Sequence, residues 1–304
     1  MNKTVFRMWL ETARPKTLPL ALASIVTGSA LAASSGVFSW AITLLSILTA
    51  LLLQVVSNFA NDYGDHLKGS DTAERIGPLR GIQHGVITPK QLRNGLIITI
   101  IASLCSGLAL ILVATESWQD LLAFLLLGVL AVIASITYTI GRKPYGYIGL
   151  GDISVLMFFG WLGVGGTYYL QAHQINFPIL MVATACGLLA TAVLNINNLR
   201  DIEQDRKAGK NTLAVRLGDK PAKIYHSVLI VAAILLYLAF GLLYFPHWSG
   251  WLAAAAFPLL LKHAWSVLRA NDPKQLRPML AQMAMLALLT NLLFSLGLLL
   301  GFYW

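Results

Sequence analysis

Charge is scarce in this chain. Only 12% of its 304 residues are Asp, Glu, Lys or Arg, about half the share usual in a soluble globular domain. With 57% hydrophobic residues and a mean hydropathy of +0.70, that shortage excludes a soluble enzyme built on one apolar core, and it excludes disorder. Cysteine is nearly absent. Cys105 and Cys186 both sit inside apolar runs, and neither has a partner at metal-ligand spacing. A disulfide framework and a zinc site are excluded, and both are expected as small buried apolar residues. No Gly-x-Ser-x-Gly, His-Glu-x-x-His or Gly-Lys-Ser/Thr sequence occurs, which removes the hydrolase-elbow, zinc-protease and P-loop readings. His66 and His84 lie near acids but lack metal or triad spacing.

What is present is apolar length. Nine runs stand out: 17–34, 38–58, 94–114, 120–139, 150–170, 178–198, 224–245, 249–268 and 280–302. A membrane span needs roughly 20 apolar residues. The nine runs therefore nearly exhaust the chain as one transmembrane domain over 1–304. They are too long and too uniform for barrel strands, so an all-α bundle of nine transmembrane helices is expected. The polar intervals, expected as site loops, fall at about 59–93, 140–149, 199–223 and 269–279.

The basic residues give the orientation. Every one of the 22 Lys and Arg residues falls before run 1, after runs 2, 4 and 6, or at or beyond the end of run 8, while the opposite side carries only Glu116 and Asp120. Such an asymmetry puts the amino terminus and the large loops in the cytoplasm. The net charge of +9 thus reflects membrane orientation, and no nucleic-acid partner is expected. The small residues around Ser29–Ser34 faintly resemble a signal-peptidase site, but removing the first span would invert the charge alternation of all that follows.

Acids and amides cluster where two of these helices leave the membrane. Asn61, Asp62 and Asp65 are three and four residues apart, with Asn58 and Asp71 close by. They are expected on one helix face. Asn197, Asp201 and Asp205 repeat the pattern at i, i+4, i+8 after run 6. Oxygen-rich sets of this kind suit Mg²⁺, which takes one or two carboxylates plus phosphate oxygens and water. Either cluster alone could be an ordinary polar helix end, but two of matching composition on one membrane side point to a diphosphate. Arg14, Lys16, Arg75, Arg80, Arg142, Lys143, Lys210 and Arg216 stand near them. Cations of this type neutralise a phosphate leaving group, although membrane topology alone would also place them here. Tyr63, Tyr138, Tyr145, Tyr147 and Trp161 could line a pocket and face a cation. The membrane interface explains most of them equally well. Gly160, Gly163, Gly165 and Gly166 read as close helix packing, and Asp152 as a residue favouring a helix start.

The runs Asn61-Asp62-Tyr63-Gly64-Asp65 and Asn197-Asn198-Leu199-Arg200-Asp201-Ile202-Glu203-Gln204-Asp205 resemble the two aspartate-rich motifs of the UbiA-type intramembrane prenyltransferases. The nine-helix count is similar as well. Residues 61–81, 138–155 and 194–218 look like the branch of that family acting on 1,4-dihydroxy-2-naphthoate. The 4-hydroxybenzoate branch carries a further acid at a position held here by Gly69, the nearest acid being Asp71. The resemblance implies a UbiA-type fold and two Mg²⁺ ions, one on Asp62 and Asp65 and one on Asp201 and Asp205. Asn61 and Asn197 would support the ions, and Arg142, Lys143 and Lys210 would bind diphosphate. Tyr138, Arg14, Arg75 and Arg80 would contact substrate. It also implies polyprenyl diphosphate and 1,4-dihydroxy-2-naphthoate as substrates, a membrane-lipid environment and a place in the bacterial inner membrane. The same chemistry on 4-hydroxybenzoate or homogentisate, a transporter, and a non-catalytic lipid-binding protein stand as alternatives.

Overall fold

Capping residues in the sequence set where the helices begin. The computed structural model describes residues 3–69 and 81–303, and among these every regular element is helical. Helix α1 (Lys3–Ala13) stops at Arg14, whose φ of 54° is left-handed, and a 3-10 turn over Pro15–Thr17 feeds α2 (Leu18–Ser34). The Ser39 hydroxyl accepts the Ile42 N–H at 3.3 Å and starts α3 (Trp40–Lys68), which ends at Gly69 with a φ of 63°. Thr88 and Gln91 form a capping box ahead of α4 (Pro89–Ala114). Ser117 caps α5 (Trp118–Thr137). Then α6 (Gly151–Val155), wide π-type turns over Leu156–Gly166 and α7 (Thr167–Ala172) form one apolar rod. Asn176 caps α8 (Phe177–Arg200). Two short helices, α9 (Ile202–Lys207) and α10 (Leu213–Leu217), lead to α11 (Asp219–Leu243). A 3-10 segment, Trp248–Ala256, continues as α12 (Phe257–Arg269), and α13 (Leu276–Tyr303) closes the chain.

Nine of these rods are long and apolar enough to cross a membrane, among the described residues. They coincide with the nine apolar runs, so the chain is an all-α, multi-pass membrane protein. Helix α1 is an addition. Its Met8 and Trp9 pack against α3, with the Trp9 and Phe59 rings 5.6 Å apart, while Phe6 and Leu10 stay exposed. That one-sided arrangement suits a helix lying at the bilayer surface.

Helix α8 is the buried centre, packed by α2, α11 and α13 and by the π-type segment. Lipid offers no hydrogen bonds, so a buried polar side chain here gains most from a partner within the bundle. Asn291 Oδ1 accepts both Thr27 at 2.9 Å and Tyr237 at 2.8 Å. On the other flank, α4 and α5 present Ile98, Ile101, Leu112, Leu122 and Leu126 outward. In water such a surface would be a liability; against acyl chains it costs nothing. Gly160 allows a close helix approach, since a Cβ there would stand 2.5 Å from the Ala183 carbonyl. A Cβ on Gly163 would stand 2.8 Å from that of Ser24, whereas Gly165 and Gly166 meet only side-chain ends, at 3.4 and 3.3 Å, so the close-packing reading holds for two of the four. Cys186 is buried as expected. Cys105 is exposed on α4, because lipid, not a neighbouring helix, covers that face.

Candidate active site

A cavity of about 220 Å³ opens where α3, α5, α8 and the short helices meet. It gathers Arg14, Asn61, Asp65, Tyr138, Asn197, Asp201, Asp205 and Lys210 among its walls. These eight residues come from segments far apart in the chain. All were candidates on sequence grounds.

The first motif divides. Asn61 and Asp65, one turn apart on α3, line the cavity. The Thr139 hydroxyl donates to Asn61 Oδ1. Asp65 Oδ1 accepts Lys210 Nζ at 2.7 Å and the Tyr147 hydroxyl at 3.0 Å. Asp62 does not line the cavity. Its Oδ1 accepts Arg14 Nη2 at 2.5 Å, and it is Arg14 that reaches the cavity wall. The left-handed Arg14 backbone is held from two sides, because Asn58 Nδ2 donates to Ala13 O at 2.8 Å and Thr17 Oγ1 to Arg14 O at 2.9 Å.

The second motif keeps its three residues together despite a break in the helix. Helix α8 ends at Asp201, with φ −100° and ψ 10°, and α9 restarts at Ile202. Asn197, Asp201 and Asp205 all face the cavity. Arg200 neutralises its own neighbour, donating from Nε to Asp201 Oδ1 at 2.7 Å and from Nη2 to Oδ2. It also reaches Asn197 Oδ1 at 2.9 Å. Burial pushes the Asp205 carboxyl up to about 7; Lys210 and Arg200 pull it down, and Asp201 and Asp65 push it further up. Burial pulls the Lys210 ammonium down, but the Asp65 carboxylate outweighs it and the net shift is upward. The buried Tyr138 phenol is pushed well above its ordinary value, and the negative charge of Asp152 adds to the burial effect.

Arg142 and Lys143 are exposed on the segment after α5 and are not among the residues walling the cavity. Asp71, Arg75 and Arg80 lie outside the described residues. Among the described residues, no three His, Cys, Asp or Glu side chains converge as a ready-made metal cluster. Three of the acids instead hold a basic partner each.

Sequence reasoning passed over three contributors. Arg200 stands inside the second motif and could have been read as its counter-ion. Thr139 carries no sequence signal. Tyr147 was one aromatic among several, yet it lines this cavity beside Tyr138, while Tyr145 lines a second one and Trp161 is exposed. That second cavity, of about 240 Å³, is walled by groups such as Leu53, Leu110, Phe124, Phe158 and Leu170. Gln54, Ser57, Val155 and Phe159 border both. An acid- and amide-lined chamber thus adjoins an apolar one inside a helical membrane bundle. This is the layout of an enzyme for a substrate with an anionic head and a hydrocarbon tail.

Comparison with known proteins places that layout. The model of the UbiA prenyltransferase family matches residues 21–289, and the chain belongs to this family. It is 62% identical over 297 residues to the 1,4-dihydroxy-2-naphthoate octaprenyltransferase of Haemophilus influenzae, covering 97% of this chain and 96% of that one. It is 56% identical to the enzyme of the same name from Escherichia coli, covering 96% and 95%. A UbiA homologue from Archaeoglobus fulgidus, solved bound to DMAPP and Mg²⁺, shares the fold with a TM-score of 0.65 at 16% identity, over 94% of this chain and 99% of that one.

Proposed function

We propose that this chain transfers a polyprenyl group from polyprenyl diphosphate to 1,4-dihydroxy-2-naphthoate. Diphosphate and CO₂ leave, and the hydroquinone form of demethylmenaquinone is produced in menaquinone synthesis. The observation that carries this reading is the junction of the two cavities across Gln54, Ser57, Val155 and Phe159. It gives the diphosphate a charged chamber and the prenyl tail an adjoining apolar one. The names of the two bacterial relatives support the choice of acceptor.

The donor set fits Mg²⁺. Asp65, Asp201, Asp205, Asn61 and Asn197 offer oxygen ligands around one space, and the upward push on Asp205 comes first from burial, with Asp201 and Asp65 adding negative charge that a cation would relieve. Asp65 would hold one ion, joined by Asp62 only where Asp62 gives up the Arg14 guanidinium and turns to the cavity, and Asp201 and Asp205 would hold a second. Bound there, Mg²⁺ neutralises the diphosphate and makes it a better leaving group. Lys210 and Arg14 supply fixed positive charge at the cavity wall. Arg142 and Lys143, exposed beyond the cavity wall, and Arg75 and Arg80, outside the described residues, are assigned to diphosphate and substrate from their places in the sequence alone. Tyr138 lines the cavity, and its ring would stabilise positive charge developing on the allylic carbon there. The ring carbon that bears the carboxylate then bonds to the allylic carbon as the diphosphate leaves with the electron pair of the C–O bond. Its carboxylate leaves as CO₂, the electron pair returns to the ring, and no separate base is required.

The reading makes residues 1–304 a single transmembrane domain in the bacterial inner membrane, with the amino terminus and the site cytoplasmic. The one-sided distribution of all 22 Lys and Arg residues supports that orientation. Purified protein in detergent, given a long prenyl diphosphate, Mg²⁺ and equal amounts of 1,4-dihydroxy-2-naphthoate, 4-hydroxybenzoate and homogentisate, should prenylate the naphthoate. It should stop when EDTA is added. Preference for another acid would move the acceptor, and full activity after exhaustive chelation would remove the metal.

A further inference from the structure

Tyr147 stands at the centre of the charged chamber with no part in the chemistry above. Its hydroxyl donates to Asp65 Oδ1 at 3.0 Å. Its ring has the Lys68 ammonium 4.1 Å and the Lys210 ammonium 4.9 Å from its centroid. Lys210 also bonds Asp65 Oδ1 at 2.7 Å. The tyrosine is anchored in turn. Its carbonyl accepts Asn211 N–H at 2.9 Å, and the next carbonyl, of Ile148, accepts Arg216 Nη2 at 2.7 Å. The turn that carries it ends at Gly149, whose φ of 77° suits glycine. One side chain thus ties the segment after α5 to the segment between α9 and α10, and both to the first acidic motif.

The geometry points to Tyr147 as a positioning residue for both halves of the diphosphate site. Its hydroxyl orients Asp65 toward a metal, and its ring gathers the exposed Lys68 ammonium and the Lys210 ammonium of the cavity wall for phosphate oxygens. The inference rests on the function proposed above. Two ammonium groups on one ring would repel each other; the negative face of the ring and the Asp65 carboxylate offset that repulsion. A pair held this way is a ready receptor for a doubly charged phosphate group. Hydrogen bonds to a metal-ligating carboxylate fix its direction, and losing one costs 10- to 100-fold in metal affinity or activity. An ordinary interfacial tyrosine would turn its hydroxyl to water. This one turns it to a carboxylate that is only 6% exposed.

The two roles separate by substitution. Tyr147→Phe removes the hydroxyl and keeps the ring; Tyr147→Leu removes both. Each purified variant, checked by thermal unfolding, is titrated with Mn²⁺ alone by electron paramagnetic resonance. It is then titrated calorimetrically with a non-cleavable prenyl thiodiphosphate at saturating Mg²⁺. The expected result is Mn²⁺ binding weakened about tenfold in both variants. The thiodiphosphate should bind within about twofold of wild type in the Phe variant and about fivefold more weakly in the Leu variant. Should the Leu variant not fold, Lys68→Met tests the ring's role: it should weaken the thiodiphosphate about threefold and leave Mn²⁺ unchanged. Wild-type Mn²⁺ affinity in Tyr147→Phe, or equal thiodiphosphate affinity in the Phe and Leu variants, overturns the assignment. Neither titration contains an aromatic acid, so an error in the acceptor leaves this test intact. A wild-type protein that binds neither probe overturns the functional reading itself.

Discussion

The two acidic motifs look alike in sequence and are built differently. The first lies on an unbroken helix, α3, and its acids are neutralised from a distance: Asp62 by Arg14, 48 residues away, and Asp65 by Lys210, 145 residues away. The second crosses a helix break, and Asp201 is neutralised by the adjacent Arg200. The first motif therefore depends on tertiary structure for its charge balance, whereas the second carries much of its own. Lys210 is the element they share, because it bonds Asp65 and also lowers the proton affinity of Asp205.

If the motifs are equal in chemistry despite this difference, removing either should be severe. Asp65→Ala and Asp201→Ala are each expected to lower turnover by a factor on the order of 10² or more, read as kcat on folded protein. Near-native activity in one of them would break the equivalence and leave a single working motif. Next in size is the structural dependence of the first motif. Arg14→Met leaves Asp62, which is 3% exposed, without that guanidinium. It should cost about 2 kcal/mol of stability in a denaturant titration, discounted from the value for a fully buried pair because Arg14 is 24% exposed.

A smaller effect tests the shared lysine. Lys210→Gln should reduce kcat/KM about tenfold through loss of a charge-assisted contact, and it should weaken metal binding at both motifs rather than one. The smallest effect is a pH dependence. With the Asp205 carboxyl at about 7, the folded, metal-free protein binds more protons than the unfolded chain from about pH 4 to 7. Its stability contribution from this group therefore falls as pH rises through that window. A metal must displace the proton, so Mn²⁺ affinity should drop about fivefold from pH 7 to 6, as the deprotonated fraction falls from about a half to about a tenth. Asp205→Asn should flatten that slope.

Much of this architecture is legible in composition. Lipid demands long apolar helices, so nine runs translate directly into nine spans. Helix α1 escaped because its apolar residues are only one face of a short basic segment, too mixed to register as a run. The broken path through α6, the π-type turns and α7 escaped because hydropathy reports length, not backbone pitch. Within the site, spacing located Asn61, Asp65, Asn197, Asp201 and Asp205, since i, i+4 repeats survive as a shared face. It could not assign Asp62 to Arg14, nor separate the exposed Arg142 and Lys143 from the lining Lys210. Those outcomes depend on contacts between segments far apart in the chain. Tyr147 illustrates the same limit: a lone tyrosine near a membrane interface looks ordinary until its neighbours are in place.

The most direct test uses 1,4-dihydroxy-2-naphthoate labelled with ¹³C in its carboxylate, a long prenyl diphosphate and purified protein in detergent, with mass detection of both products. The account predicts one ¹³CO₂ for each prenylated hydroquinone formed, detected as such or as demethylmenaquinone after oxidation by air, in the presence of Mg²⁺, and neither product after chelation. Folded protein that yields no prenylated naphthoate under these conditions, or yields one that retains the label, would contradict it.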